Sequence, residues 1–212
     1  MYTGITSGTF EVVRVERRPD LLTYVVAFDD RLVEGLAPGA SISVDGVCQT
    51  VVAISGNEVT FEAIKETLDR TTLGRLEAGV FVAVERSRRV GDEIGGHEVA
   101  GHVIGTGEVA RVLREGEICD LCIRVPREWM KYIFKKGFIA VDGSSLTVGD
   151  LDPAGSFELH LIPETLRLTN LGKKAPGDCV NIELDARTIV IVDTVERVLA
   201  SRAEGVQSES RS

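Results

Sequence analysis

The sequence predicts a mostly β protein: two small barrels in tandem, related by internal duplication, with a helix added at the C-terminal end. Three observations predict it. The stretch VDGVCQTV begins at Val44, and VDGSSLTV begins at Val141, 97 residues later. The block Gly4–Val12 aligns at the same offset with Gly101–Val109. KETLDRTTLGRLEAGVFVAVE from Lys65 matches PETLRLTNLGKKAPGDCVNIE from Pro163 at an offset of 98. Chance likeness between short hairpins does not place three blocks in one order at nearly one spacing, so the chain reads as a repeat. One inserted residue in the turn near Pro153–Ser156 absorbs the change of offset. The expected units are 1–97, 98–186, a helix at 187–202 and a disordered tail at 203–212.

Each element has its own reason. The first repeat offers strands at 9–15, 24–28, 41–46, 47–54, 58–64 and 80–85, all rich in β-branched residues. Pro38-Gly39, Asp45-Gly46, Gly56-Asn57 and Gly79 punctuate them. About six short strands with tight turns favour a closed barrel, which leaves no bare sheet edge. Asp45-Gly46 and Asp142-Gly143 are hairpin-turn pairs. In the second repeat, Pro126 to Gly137 has proline at the start and glycine at the stop of a helix. At 188–202, Ile191, Val192, Val195, Val198 and Leu199 fall on one helical face. That helix packs on its own barrel or, on the sharper reading, joins copies of the chain. The closing AEGVQSESRS is small and polar, and is expected to stay disordered.

Composition excludes several function classes. The 212 residues carry a net charge of −9, which argues against nucleic acid and anionic membrane as partners. MYTGITSG shows no secretory signal, and no apolar run approaches the roughly 20 residues of a membrane span, so a soluble cytoplasmic protein is expected. The four cysteines are then expected to be reduced thiols. Cys119 and Cys122 form a C-x-x-C, but a zinc site needs two more ligands at suitable spacing, and the strand-like EICDLCIRV points the two thiols to opposite faces. Phosphate-binding glycine loops and a Gly-x-Ser-x-Gly elbow are absent, so nucleotide-dependent and hydrolase chemistry are disfavoured.

The informative positions are those where the copies differ. Cys48 stands where the second copy has Ser145, and Ile5 stands where it has His102. Ser144 is matched by Val47, and on that logic it carries no role. His97 reads as a surface or domain-junction histidine. Asp185 closes the second repeat and reads as a cap or a functional carboxylate.

MYTGI, GVCQTV, KETLDRTTLG, GGHEVAGHV, KKGFIAVDGSSLTV, LIPETL and VNIELD together resemble the riboflavin synthase family, over about residues 1–200. The resemblance implies two six-stranded Greek-key barrels and a homotrimer built through the C-terminal helices. It implies a transferase of riboflavin biosynthesis that dismutates two 6,7-dimethyl-8-ribityllumazine molecules by moving a four-carbon unit. The products would be riboflavin and 5-amino-6-(ribitylamino)uracil, made without cofactor or metal. It implies a first pocket of Gly4, Ile5, Thr6, Cys48, Gln49 and Thr50, with Glu62, Ala63, Ile64, Lys65, Glu66 and Thr67. The second would hold Gly101, His102, Val103, Lys136, Ser145, Leu146 and Thr147, with Ile162, Pro163, Glu164, Thr165 and Leu166. His102 with Thr147 would handle protons, and Ser145 with Asp185 would carry addition and ring opening, with Cys48 assisting. Two positions depart from the family: Tyr2 where it has Phe, and Gln49 where it has Leu, a polar amide beside the first pocket. The competing reading is a non-catalytic lumazine- or flavin-carrying relative of the same fold. A plain interaction module is the third.

Overall fold

The computed structural model describes residues 1–209 and forms two closed six-stranded barrels. The first contains β1 (Gly8–Arg18), β2 (Leu21–Ala27), β3 (Ser41–Val44), β4 (Val47–Ser55), β5 (Glu58–Ile64) and β6 (Phe81–Arg86). The second contains β7 (Gly105–Glu115), β8 (Ile118–Arg124), β9 (Phe138–Val141), β10 (Ser144–Asp152), β11 (Ser156–Leu161) and β12 (Cys179–Leu184). Around the first barrel the order is β1-β2-β5-β4-β3-β6, and the second repeats it element for element. Every neighbouring pair of strands is antiparallel.

The duplication extends to irregularities. Register shifts between Val12 and Arg14 and between Val51 and Ala53 recur between Val109 and Arg111 and between Val148 and Leu151. Such bulges sharpen strand twist, which a small barrel needs at its corners. β4 and β5 are joined by Gly56-Asn57, whereas β10 and β11 are joined by Pro153-Ala154-Gly155, so the inserted residue lies in the expected turn. Each barrel fills its own core: Tyr24 stacks on Phe61 at 5.3 Å in the first, and Phe157, Leu159 and Leu161 are buried in the second. The Cys119 thiol points into that core and Cys122 does not, which separates the C-x-x-C across the strand.

Two elements depart from the sequence reading. The segment after Pro126 is a short 3-10 helix, Arg127–Tyr132, because Trp129 packs on Gly105 and Ile133 turns into the barrel core. The C-terminal helix is longer than expected, Ala186–Glu209, and takes in most of the segment read as a tail. Residues 210–212 of that tail lie outside the described residues. Val190, Ile191, Val195, Val198 and Leu199 leave an apolar stripe exposed along the helix. Among the described residues, no helix is long and apolar enough to cross a membrane.

The barrels meet around an approximate twofold axis. Tyr2 and Val99, equivalent positions of the two copies, exchange backbone hydrogen bonds of 2.7 and 3.1 Å. The two Asp-Gly turns face each other: a Cβ on Gly46 would lie 2.5 Å from the Gly143 nitrogen. Asp45 and Asp142 sit at φ 45 and 44, with Gly46 and Gly143 both at φ 81, the left-handed pair that such two-residue hairpins require.

Candidate active site

The segments before β1 and β7 do not stay with their own barrels. Gly4 presents its carbonyl to the Ser145 N–H at 2.8 Å, and Gly101 does the same for Cys48 at 3.0 Å. Each contact demands glycine: φ is +74 and +79, and an added Cβ would sit 2.5 Å from Ser145 Cβ or 2.6 Å from Cys48 Cβ. A buried carboxylate staples each crossing. Glu85 accepts from Thr3 N at 2.6 Å, Thr3 Oγ1 at 2.7 Å and Gly4 N at 3.0 Å. Glu183 accepts from Ala100 N at 2.7 Å and Gly101 N at 2.9 Å. Burial raises both acids, and these amide bonds offset part of the rise by favouring the ionised form.

Two clefts result, each assembled from both repeats. The first has a volume of about 370 Å³ and is lined by Val47, Cys48, Glu66, Thr67, Arg70, Thr71 and Gly101–Val103. The second, about 200 Å³, is lined by Gly4–Thr6, Ser144, Ser145, Leu146, Ile162, Glu164, Thr165, Leu168 and Thr169. Ile5 and Ile162 are exposed and give the second cleft apolar walls, which suit a flat ring.

The two nucleophile positions are set differently. Tyr2 donates its hydroxyl to Cys48 Sγ at 3.2 Å. Ser145 Oγ lies 2.7 Å from His97 Nδ1. The His97 ring stacks on Phe138 at 5.2 Å and is nearly buried. Burial lowers its pKa, the Asp185 charge opposes that, and Arg187 adds to it. A neutral imidazole with its proton on Nε2 can therefore accept the Ser145 proton. Asp185 shares a cavity of about 240 Å³ with His97 and Phe138 while capping the C-terminal helix, accepting from Thr188 Oγ1 at 2.9 Å.

The lumazine-binding domain model matches this chain twice, over residues 3–87 and 100–185. The chain is 49% identical to the riboflavin synthase of Escherichia coli K12 over 203 residues, covering 95% of each. It is 41% identical to that of Chlamydia pneumoniae over 201 residues, covering 95% of this chain and 98% of the relative. Among solved structures, LumP complexed with riboflavin superposes with a TM-score of 0.81 at 25% identity, covering 87% of this chain and 99% of LumP. LumP complexed with 6,7-dimethyl-8-ribityllumazine gives 0.79 at 24%, with the same coverage. The chain belongs to the riboflavin synthase family.

Against the residues expected from that family, the structure makes one correction of principle. Gly4, Ile5 and Thr6 belong to the cleft of Ser145, and Gly101, His102 and Val103 to the cleft of Cys48, because the leading segments cross. His102 thus faces Cys48, and Ile5 faces Ser145. Thr147 lies on β10 opposite Phe138, in the barrel of Ser145.

Other expected residues have contacts of their own. Of Glu62–Thr67, Glu66 and Thr67 line the first cleft. Glu62 pairs with Arg18 at 3.3 Å, Ala63 is in the barrel core, Ile64 is exposed and Lys65 pairs with Asp69 at 2.7 Å. Thr50 is exposed opposite Ser41. Gln49 is buried in the barrel, accepting from Tyr24 OH at 3.2 Å and donating to the Cys48 carbonyl at 3.0 Å. The equivalent pair in the second barrel is apolar, Leu121 and Leu146, so Gln49 and Tyr24 arise together. Lys136 N donates to the Val148 carbonyl at 2.9 Å, Pro163 starts the short helix Pro163–Leu168, and Leu166 packs on the second core. Ser144 is not idle: it is buried and lies 3.0 Å from Thr6 Oγ1 across the junction.

Sequence reasoning missed His97, Glu85, Glu183 and Phe138. One signal was available for His97. The preceding Gly96 has no room for a side chain: a Cβ there would lie 2.4 Å from Thr3 O and 2.5 Å from Ser145 Cβ. The paired glycines in IGGH mark a backbone pressed onto the site.

Proposed function

We propose that the chain is a riboflavin synthase: it binds two molecules of 6,7-dimethyl-8-ribityllumazine and transfers a four-carbon unit between them, giving riboflavin and 5-amino-6-(ribitylamino)uracil. The observation that carries this reading is a pair of equivalent clefts with unequal chemistry. A dismutation needs two copies of one substrate, hence two related pockets, and it needs them treated differently. Cys48 with His102 in one cleft and Ser145 with His97 in the other supply that difference. Proximity is a large share of such catalysis, worth roughly 7–11 kcal/mol for well-oriented partners. His102, in the cleft of Cys48, serves proton removal from the acidic 7-methyl group. Ser145, relieved of its proton by His97 and flanked by Asp185, serves addition and ring opening. The chain's own residues provide these groups without a cofactor or metal.

The two clefts are lined by different residues of one chain, so two bound substrates meet when the first cleft of one copy faces the second cleft of another. We place that assembly in a cytoplasmic homotrimer joined through the exposed stripe Val190–Leu199. A chain lacking residues 187–212 is expected to sediment as a smaller species and to lose turnover; an unchanged oligomer after this deletion overturns the trimer reading. The non-catalytic alternative predicts binding without conversion. Incubating the purified chain with the lumazine and following riboflavin absorbance decides between them, and the absence of riboflavin despite saturable binding would favour the carrier.

A further inference from the structure

The axis between the barrels holds charged groups that the proposed chemistry does not use. Asp45 and Asp142, equivalent residues, are both buried. Their settings begin alike: Ala83 N donates to Asp45 Oδ1 at 2.7 Å, and Asn181 N donates to Asp142 Oδ1 at 2.7 Å. Then the symmetry fails. Lys174 reaches Asp142 Oδ2 at 2.9 Å and also donates to the Cys179 carbonyl at 3.1 Å. Its side chain is 17% exposed, against 1% for Asp142. The first repeat has Leu76 at that position. Asp45 receives instead a neutral amide from across the junction, Asn170 Nδ2 at 2.9 Å.

Burying an ammonium beside a carboxylate costs desolvation, and such a pair is weak evidence of stability for its own sake. The position of this pair points to another role. Asp142 opens the turn whose next residues are Gly143, Ser144 and Ser145. We propose that Lys174 is a positioning residue for the second cleft, its ammonium clamping the Asp142-Gly143 turn so that Ser145 stays in register with His97. Only the copy that carries the Ser145–His97 pair has this clamp. The proposal rests on the reading of Ser145 as catalytic.

The clamp makes a prediction about protons. Around it stand Asp45 and Asp142 as carboxyls, Tyr24 facing Asp45, and Asp178 beside Lys174. Burial pushes Asp45 up to about 7, the Asp142 charge adds to the push, and Lys174 pulls back. Burial lowers the Lys174 pKa, but Asp142 and Asp45 outweigh it and raise the net value, so the lysine stays charged at neutral pH. Without that charge, rising pH forces negative charge into a junction with no cation. The damage must then grow as pH rises.

Lys174→Gln, which keeps a donor and loses the charge, tests this in the full-length chain. The kcat is expected to fall about tenfold or more, as a misplaced nucleophile requires, with KM little changed. The deficit should widen between about pH 6 and about pH 9, and Lys174→Arg should recover most of it at every pH. A deficit that is the same at all pH values, or one that vanishes when rates are referred to the folded fraction, overturns the proposal. If Lys174→Gln does not fold, Lys174→Arg decides alone: near wild-type turnover supports the clamp, and a large pH-independent loss overturns it. In a Ser145→Ala background, Lys174→Gln should cost little further kcat, and a full additional loss shows that Lys174 does not act through Ser145. Full turnover by Ser145→Ala itself would overturn the reading of Ser145, a failure visible without any change at Lys174.

Discussion

The cleft of Cys48 and the cleft of Ser145 share a backbone and differ in what each can do with a proton. In the first, the sulfur accepts from Tyr2, and the histidine, His102, is an exposed lining residue on a strand-leading segment. In the second, the oxygen is paired at 2.7 Å with a histidine held against an aromatic ring. The reason lies in the chain order. His97 sits on the linker between the two repeats, outside the blocks that they share. Duplication supplied two related pockets that differ at matched positions, and the connection between them adds His97 to one. A dismutation, which asks one molecule to give and its twin to receive, needs both.

Breaking that inequality at its centre gives the largest effect. Ser145→Ala removes a hydroxyl and little volume, so the fold should survive. If the hydroxyl acts in a step with developing charge, kcat should fall on the order of 10²-fold or more, while lumazine affinity changes little. Steady-state turnover beside a binding titration checks this, and a loss confined to affinity would reduce Ser145 to a ligand contact. Cys48→Ala, whose sulfur is paired with the Tyr2 hydroxyl rather than with a histidine, should cost distinctly less.

The comparison sharpens with pH. His97 titrates below its ordinary value of roughly 6.5, so it is neutral at pH 7 and gains a proton only as the medium becomes acid. Turnover should hold through neutrality and fall as pH drops through that lowered value. Asp185 opposes the lowering, so Asp185→Asn should move the acid limb to lower pH still. Cys48→Ser, which leaves the second cleft intact, should not move it. A pH–rate profile for the three proteins reads all of this, and a limb that stays in place in Asp185→Asn removes His97 as its source.

Much of this architecture was legible in the sequence, because a repeat reports itself twice. Strand positions, the two Asp-Gly turns and the site of the inserted residue all follow from matching 44–51 to 141–148 and their flanks. The crossing of the leading segments was not legible. Gly4 and Gly101 occupy equivalent positions whether each stays at home or changes places, so symmetry hides the exchange. Gln49 misled for a related reason: strand alternation places it on the inner face, but its partner Tyr24 lies on a strand far away in sequence. His97 was hidden because it lies in the linker, and comparing copies reveals only the blocks that they share.

The smallest expected effect tests that crossing. In the second cleft, Thr6 and Ser144 meet through hydroxyls at 3.0 Å, whereas the equivalent residues of the first are Val103 and Val47. Ser144→Ala leaves the Thr6 hydroxyl without its partner in a buried place and should cost about 1 kcal/mol of stability. Turnover should fall only a few-fold, since Ser145 N still bonds Gly4 O. Thr6→Val with Ser144→Val writes the first copy's apolar pair into the second cleft, so no hydroxyl is stranded. The double variant should then lose less than the two single valine changes added together, and denaturant unfolding of the four proteins gives the coupling directly. Additive losses would mean that the two side chains do not meet, and that the leading segment is less tightly crossed than its bonds to Glu85 and Ser145 require.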